Sequence, residues 1–293
     1  MNNKIKTKIY AFLTILCWAS SFVSTKIILS SGFLSPFELG ILRYFFAAIL
    51  LIPIIFIMKL RIPKLKDWYK FLISGFLGYA GYVFLFNTAI SIINPSTSSV
   101  INAICPGLTS IVAYFLFKEK IPFMGIISLL ISFVGILILC LWGDTFSMNI
   151  GVIYMLGAAV CLSLYNIAQR VLSKDYSSSE VAFFSILFGT ILLIISKPNS
   201  ILLLKNLNST VFLHLVFLAI FPTLIAYSLW SKAFLICENT SDVTNFMFLT
   251  PVVTTLMSFF AIKEYPEMNT YVGGIFILLG MIMFQKSKNK ASK

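Results

Sequence analysis

The chain has 293 residues, of which 59% are apolar and only 11% charged, with a mean hydropathy of +0.97 and a formal charge of +12. A soluble domain carries about 25% charged residues, and so few polar side chains cannot hydrate the outside of a globule, which excludes a soluble enzyme, a disordered chain and a disulfide scaffold. At about 20 residues per span, the expected fold class is all-α, a polytopic membrane protein with no sizeable soluble domain.

Ten apolar runs are predicted as spans, at 9–29, 36–58, 68–90, 95–117, 121–142, 149–171, 180–196, 211–235, 240–262 and 268–285. They are continuous rather than alternating, so they read as helices and not as strands of a barrel. The first resembles a signal peptide superficially, but its run is long for one and nine more follow, so it is read as a retained span.

The first span supplies Trp18, Ser21 and Thr25, with Lys26 near its outer end, where its stem is expected to snorkel. The second carries Arg43 well inside the run, where an isolated Arg costs about 2.5 kcal/mol or more. A structural partner, Glu38 or a helix-terminal carbonyl, is expected for it, with a substrate carboxylate as the alternative. The third places Gly75, Tyr79, Tyr82 and Phe86 on one helical face. In the fourth, Pro106 cannot donate to the carbonyl of Asn102, so a kink and a polar spot are expected there. The fifth holds the small residues Ser128, Ser132 and Gly135.

The sixth span contributes Tyr165, Asn166 and Gln169, and the eighth a stripe of Thr223, Tyr227, Trp230, Ser231 and Phe234. The ninth has Asn245 and a second proline, Pro251, which frees the carbonyl of Met247. The tenth has Gly273, Gly274 and Gly280, and these small residues are expected to serve packing within each repeat or a dimer contact. Polar groups in hydrocarbon are costly unless they face a cavity or a partner. The candidate substrate-binding residues are therefore Trp18, Ser21, Tyr79, Tyr82, Asn102, Tyr165, Asn166, Tyr227, Trp230 and Asn245. Tyr and Trp suit an amphipathic organic ligand, having an apolar body and a hydrogen-bonding tip. An interfacial belt is the alternative for aromatics, and Tyr82 is too central for one.

Basic residues set the expected orientation. With the N-terminus in the cytoplasm, sixteen of the 22 Lys and Arg lie on that side and only Lys197, Lys205 and Lys263 outside. A multi-pass protein of the cell membrane with both termini cytoplasmic is expected, and the positive charge needs no nucleic acid. Five cysteines without a C-x-x-C pair and a single histidine, His214, leave no metal site or catalytic triad to expect. No carboxylate lies mid-span and no phosphate-binding loop is present, so neither a deep proton carrier nor ATP hydrolysis is expected.

The chain repeats itself at an offset of 145 residues. Between 82 and 135 the offset pairs Tyr82 with Tyr227, Asn94 with Asn239, Ser96 with Ser241, Pro106 with Pro251, Thr109 with Thr254, Phe115 with Phe260, Lys118-Glu119 with Lys263-Glu264 and Gly135 with Gly280. A unit of five helices is odd, so the second copy inserts upside down. The expected units are 1–145 and 146–293, two inverted repeats with a binding site near the midplane between them, as in secondary transporters.

Together, Trp18-Ala19-Ser20-Ser21-Phe22-Val23-Ser24-Thr25-Lys26, Pro36, Arg43, Asn94-Pro95-Ser96-Thr97-Ser98, Pro106, Lys118-Glu119 and Gly135, with Ala226-Tyr227-Ser228-Leu229-Trp230, Pro251, Lys263-Glu264 and Gly280, resemble the EamA family of the drug/metabolite transporter superfamily over essentially the whole chain. The resemblance implies ten helices in two inverted five-helix repeats and movement of small metabolites, commonly export of amino acids. The expectation is a carrier working by alternating access, without cofactor, as monomer or homodimer, whose substrate is an amino acid or related zwitterion. Export of organic cations or drug-like amphipathic compounds, and a non-transporting accessory role, are the alternatives; an intramembrane enzyme would need a catalytic constellation that is missing.

Overall fold

The computed structural model describes residues 3–142, 149–236, 243 and 245–291. Among these, nine helices are long and apolar enough to cross a membrane and a tenth is shorter. In chain order they are α1 Asn3–Ser30, α2 Pro36–Ile57, α3 Leu65–Ile92, α4 Pro95–Phe117, α5 Phe123–Leu141, α6 Ile150–Leu172, α7 Ser178–Ser196, α8 Ser209–Trp230 (helical on to Ile236), α9 Phe246–Ile262 and α10 Met268–Ser287. The expected division at 145/146 lies outside the described residues.

Local chemistry sets several helix ends, and it does so in pairs. α2 and α7 both start with a capping box, in which Ser35 and Glu38, and Ser177 and Glu180, satisfy each other's backbone N–H groups. α4 and α9 both end on a lysine in the left-handed region, Lys118 and Lys263, each at φ 55°. Such a residue stops a helix sharply. The repeated Lys-Glu pair therefore marks matching helix stops.

The spans are not uniform inside. α4 breaks after Asn102 and resumes at Cys105, just before Pro106. α9 begins as a 3₁₀ turn, Asn245–Leu249, before Pro251. Both expected proline irregularities are present. Two further irregularities were not foreseen: Phe76–Ala80 in α3 and Ala219–Ile225 in α8 are π-helical. In α8 the cause is Pro222, which has no N–H to give to the regular ladder.

Helix packing maps onto itself when each helix of the first copy is exchanged with its counterpart in the second. α3 packs on α6 as α8 packs on α1, α4 on α6 as α9 on α1, and α3 on α7 as α8 on α2. The pairs α2/α7, α4/α9 and α5/α10 cross the pseudo-axis. The closest is α5/α10: a Cβ on Gly135 would lie 2.5 Å from the carbonyl oxygen of Gly273, and one on Gly280 would lie 2.5 Å from that of Ser128. The small residues thus join the two repeats to each other, a correction to the expectation of packing within one.

Two ion pairs fasten α2 to α7. Glu38, at the start of α2, meets Lys197, just after α7, at 2.7 Å; Arg61, just after α2, meets Glu180, at the start of α7, at 3.1 Å. One pair lies at the face that carries the start of α1 (the N-terminal face) and the other at the opposite face. Outward surfaces are apolar, with Phe115, Phe123, Leu130, Phe133, Ile195 and Phe260 largely exposed, as a lipid solvent requires.

Candidate substrate site

The two π-helical segments face the pseudo-axis and deliver aromatic side chains there from both repeats. π-bulges recur at functional sites because they displace side chains from the regular spiral. Tyr79 and Tyr82 leave α3 in and after one segment, and Thr223 and Tyr227 leave α8 in and after the other. Trp18 of α1 bridges to α8, its ring 5.7 Å from Tyr227 and 5.0 Å from Trp230. Tyr227 lies 6.4 Å from Tyr79, and Tyr79 packs edge-on against Tyr44 at 5.4 Å and Tyr165 at 5.3 Å. Tyr82 stacks on Phe86 at 5.4 Å and packs against both of the larger apolar cores, so it stands at their junction.

Within this cluster the predicted residues have different situations. The hydroxyls of Tyr79 and Tyr165 bond each other at 2.7 Å, and Gln169 Nε2 donates to Tyr165 at 2.6 Å. Both tyrosines are fully buried, and the Tyr165 ring lies so close to Gly78 that any side chain there would collide with it. The chain Gln169–Tyr165–Tyr79 forms a floor toward the N-terminal face, where Arg170 also pairs with Glu119 and lies over the Phe117 ring at 4.4 Å.

In the corresponding stretch of the other copy α1 carries Ser21, Thr25 and Lys26, and the short hydroxyls of Ser21 and Thr25 build no such bridge. Ser21 turns back to the carbonyl of Trp18 at 2.7 Å, and Thr25 Oγ1 is buried without a partner among the described residues. Lys26 does not snorkel: its Nζ donates to the carbonyls of Ile90 and Ile93 at 3.1 and 3.3 Å, capping the end of α3. The Glu264 carboxylate next to it keeps one oxygen, Oε1, buried and unpartnered, and burial pushes this carboxyl above the usual carboxylate range. The site is therefore bridged on the N-terminal side and not bridged in the same way on the other.

Asn102 and Asn166 belong to a second, more polar wall. Asn166 Nδ2 donates to Thr109 Oγ1 at 3.2 Å, while Asn102 Oδ1, beside the break in α4, is buried with no partner among the described residues. The Asn245 side chain lies outside the described residues, as do those of Ser231 and Phe234. Sequence reasoning left Tyr44, Arg43 and Thr223 out of the binding set, although Arg43 and Thr223 now lie in contact, Nη2 donating to Oγ1 at 3.3 Å. The signal was present in Arg43 itself, a cation well inside an apolar run. Glu38, its expected partner, is taken by Lys197 and Ser35. An apolar groove of about 630 Å³ between α1, α8 and α9, lined by Phe12, Leu16, His214, Met257 and Phe260, includes none of the predicted binding residues.

Fold and site together define a two-repeat helical membrane protein with an aromatic and amide-lined centre between its copies. The profile of the EamA-like transporter family matches the chain twice, over residues 5–141 and 149–285, and the chain belongs to that family. Among its relatives are the "Uncharacterized transporter YdfC" of Bacillus subtilis (strain 168), 27% identical and covering 96% of this chain and 91% of that one. The "Probable terminal-alkyne amino-acid exporter" of Streptantibioticus cattleyicolor is 22% identical, covering 97% and 95%. The "S-adenosylmethionine uptake transporter" of Rickettsia prowazekii is 23% identical, covering 100% and 99%. A solved crystal structure of 19% identity shares the fold with a TM-score of 0.61 over 94% of both chains.

Proposed function

We propose that the chain is a secondary carrier of the cell membrane, with both termini cytoplasmic, that exports an amino acid or related zwitterion by alternating access. The carrying observation is the aromatic cluster at the pseudo-axis, where Trp18 and Tyr79 of one repeat meet Tyr227 and Trp230 of the other, with Tyr82 close by on α3 where the two larger cores join. A ligand held by both copies binds more tightly in one arrangement of the halves than in the other, and such differential affinity drives a rocking equilibrium. Aromatic faces take the apolar body of a metabolite, and the amides of Asn102 and Asn166 suit its polar groups. Relatives named for an amino acid and for S-adenosylmethionine, itself an α-amino acid derivative, support the substrate class. The chain would work as monomer or homodimer, without cofactor.

The test is counterflow in proteoliposomes preloaded with the proteinogenic L-amino acids. Exchange of at least one is expected, and Tyr82→Ala and Tyr227→Ala each lower its rate by about tenfold or more while the proteins still elute as single species. Exchange of none, with organic amines carried instead, would show the substrate class to be wrong; exchange unaffected by either tyrosine would remove the site.

A further inference from the structure

Arg43 is only 6% exposed, two turns into α2 and inside its apolar run. A guanidinium has five N–H donors and stays charged at any accessible pH. Among the described residues its contacts are few and neutral: Nη2 donates to Thr223 Oγ1 at 3.3 Å, and the guanidinium carbon lies 5.4 Å from the centre of the Tyr44 ring. Nε is buried and bonded to nothing. The Thr223 hydroxyl spends its own proton on the carbonyl of Leu218 at 2.9 Å, a bond the π-helical segment creates, so it faces Arg43 as an acceptor.

A buried cation without an anion is unfavourable by several kcal/mol, and proteins normally compensate it with a carboxylate. The acid nearest in sequence, Glu38, is bound to Lys197 at 2.7 Å and does not serve. The guanidinium nevertheless stands beside the substrate cluster, since the Tyr44 ring it approaches packs edge-on against Tyr79 at 5.4 Å. It spans the two copies as the cluster does, with Arg43 in the first and Thr223 in the second.

We propose that Arg43 is the anchor for the substrate's carboxylate, with Thr223 as the positioning residue that holds the guanidinium toward the cluster. This rests on the carrier function proposed above and narrows it: the ligand brings a carboxylate, whose charge completes an ion pair that the described residues leave half-built. Arg matches a carboxylate with two parallel N–H···O bonds, which a lysine cannot reproduce.

Purified protein is titrated by thermal shift with the proteinogenic L-amino acids, each against its methyl ester and its decarboxylated amine, and with sodium acetate alone. At least one amino acid is expected to stabilise the wild type, with ester and amine binding about tenfold or more weakly. Arg43→Gln abolishes that preference, Arg43→Lys restores part of it, and Thr223→Val weakens it. An ester or amine that binds as well as its acid overturns the anchor while leaving the carrier reading intact, and the wild-type series decides this even if the variants fail to fold. Retention of the preference in Arg43→Gln overturns it as well. So does stabilisation by acetate as strong as by the amino acid, which would mark a plain anion site. Stabilisation by no compound in the series takes down both the anchor and the substrate class.

Discussion

Glu264 illustrates how a single residue reports on the state of the molecule. Its counterpart Glu119 is paired with Arg170, whereas Glu264 has a buried, unpartnered oxygen while the adjacent Lys26 is engaged with two carbonyls. Burial raises the folded-state pKa of Glu264, so the folded protein holds that proton more tightly than the unfolded chain does, and ionisation destabilises the fold as pH rises. Glu264→Gln is expected to raise Tm by roughly 1–3 °C at about pH 7.5, and the gain should shrink as pH falls through the raised pKa and vanish below the ordinary carboxylate range, where folded and unfolded chains are both protonated. A gain that grows on acidification would contradict this assignment. At this scale, residue types were legible in the sequence and partners were not. Tyr82 and Tyr227 could be paired by their offset alone, yet the bond between Tyr79 and Tyr165 joins positions that no periodicity relates. Arg43 announced itself by its cost, and its neighbour Thr223 became visible only through a helix distortion.

Helices were the most legible level, because hydropathy accumulates along the chain and needs no tertiary information. The short seventh run, expected at 180–196, is the helix Ser178–Ser196, extended by its capping box. The π-helical segments escaped notice for the opposite reason: adding one residue to a turn leaves composition and hydropathy unchanged. The α5/α10 contact belongs to the same level and is directly testable. Gly135→Ala would put a methyl 2.5 Å from the Gly273 carbonyl oxygen and 2.9 Å from the Ile277 backbone nitrogen, and backbone cannot yield as the Ile277 side chain at 2.7 Å can. Overpacking of this kind is expected to destabilise by about 1–3 kcal/mol, read as a lower Tm in detergent. Gly274→Ala, on the partner helix α10, meets only Val100 methyls at 3.4 Å and should leave Tm nearly unchanged. Equal losses in both variants would mean that helix propensity, and not the inter-repeat contact, sets the effect.

The two-copy organisation was legible from prolines, asparagines and helix stops at one offset, since these report backbone geometry and survive exchange of one apolar side chain for another. What could not be read is how the copies are fastened, because Lys197 and Arg61 look like ordinary loop cations until the folded chain brings Glu38 and Glu180 to them. Arg61→Glu is expected to lower Tm by roughly 2–4 °C, and adding Glu180→Arg should recover part of the loss, measured on the same purified proteins. An additive double variant would show that the pair contributes nothing as a pair. These two fastenings also limit what a carrier of this design can do. Because α2 and α7 are tied at both faces, drawing those helices apart at either face would break an ion pair. In the carrier proposed above they would act as an axle about which the remaining helices turn, and high salt, by screening the exposed partners of each tie, should loosen it before it disturbs the apolar core.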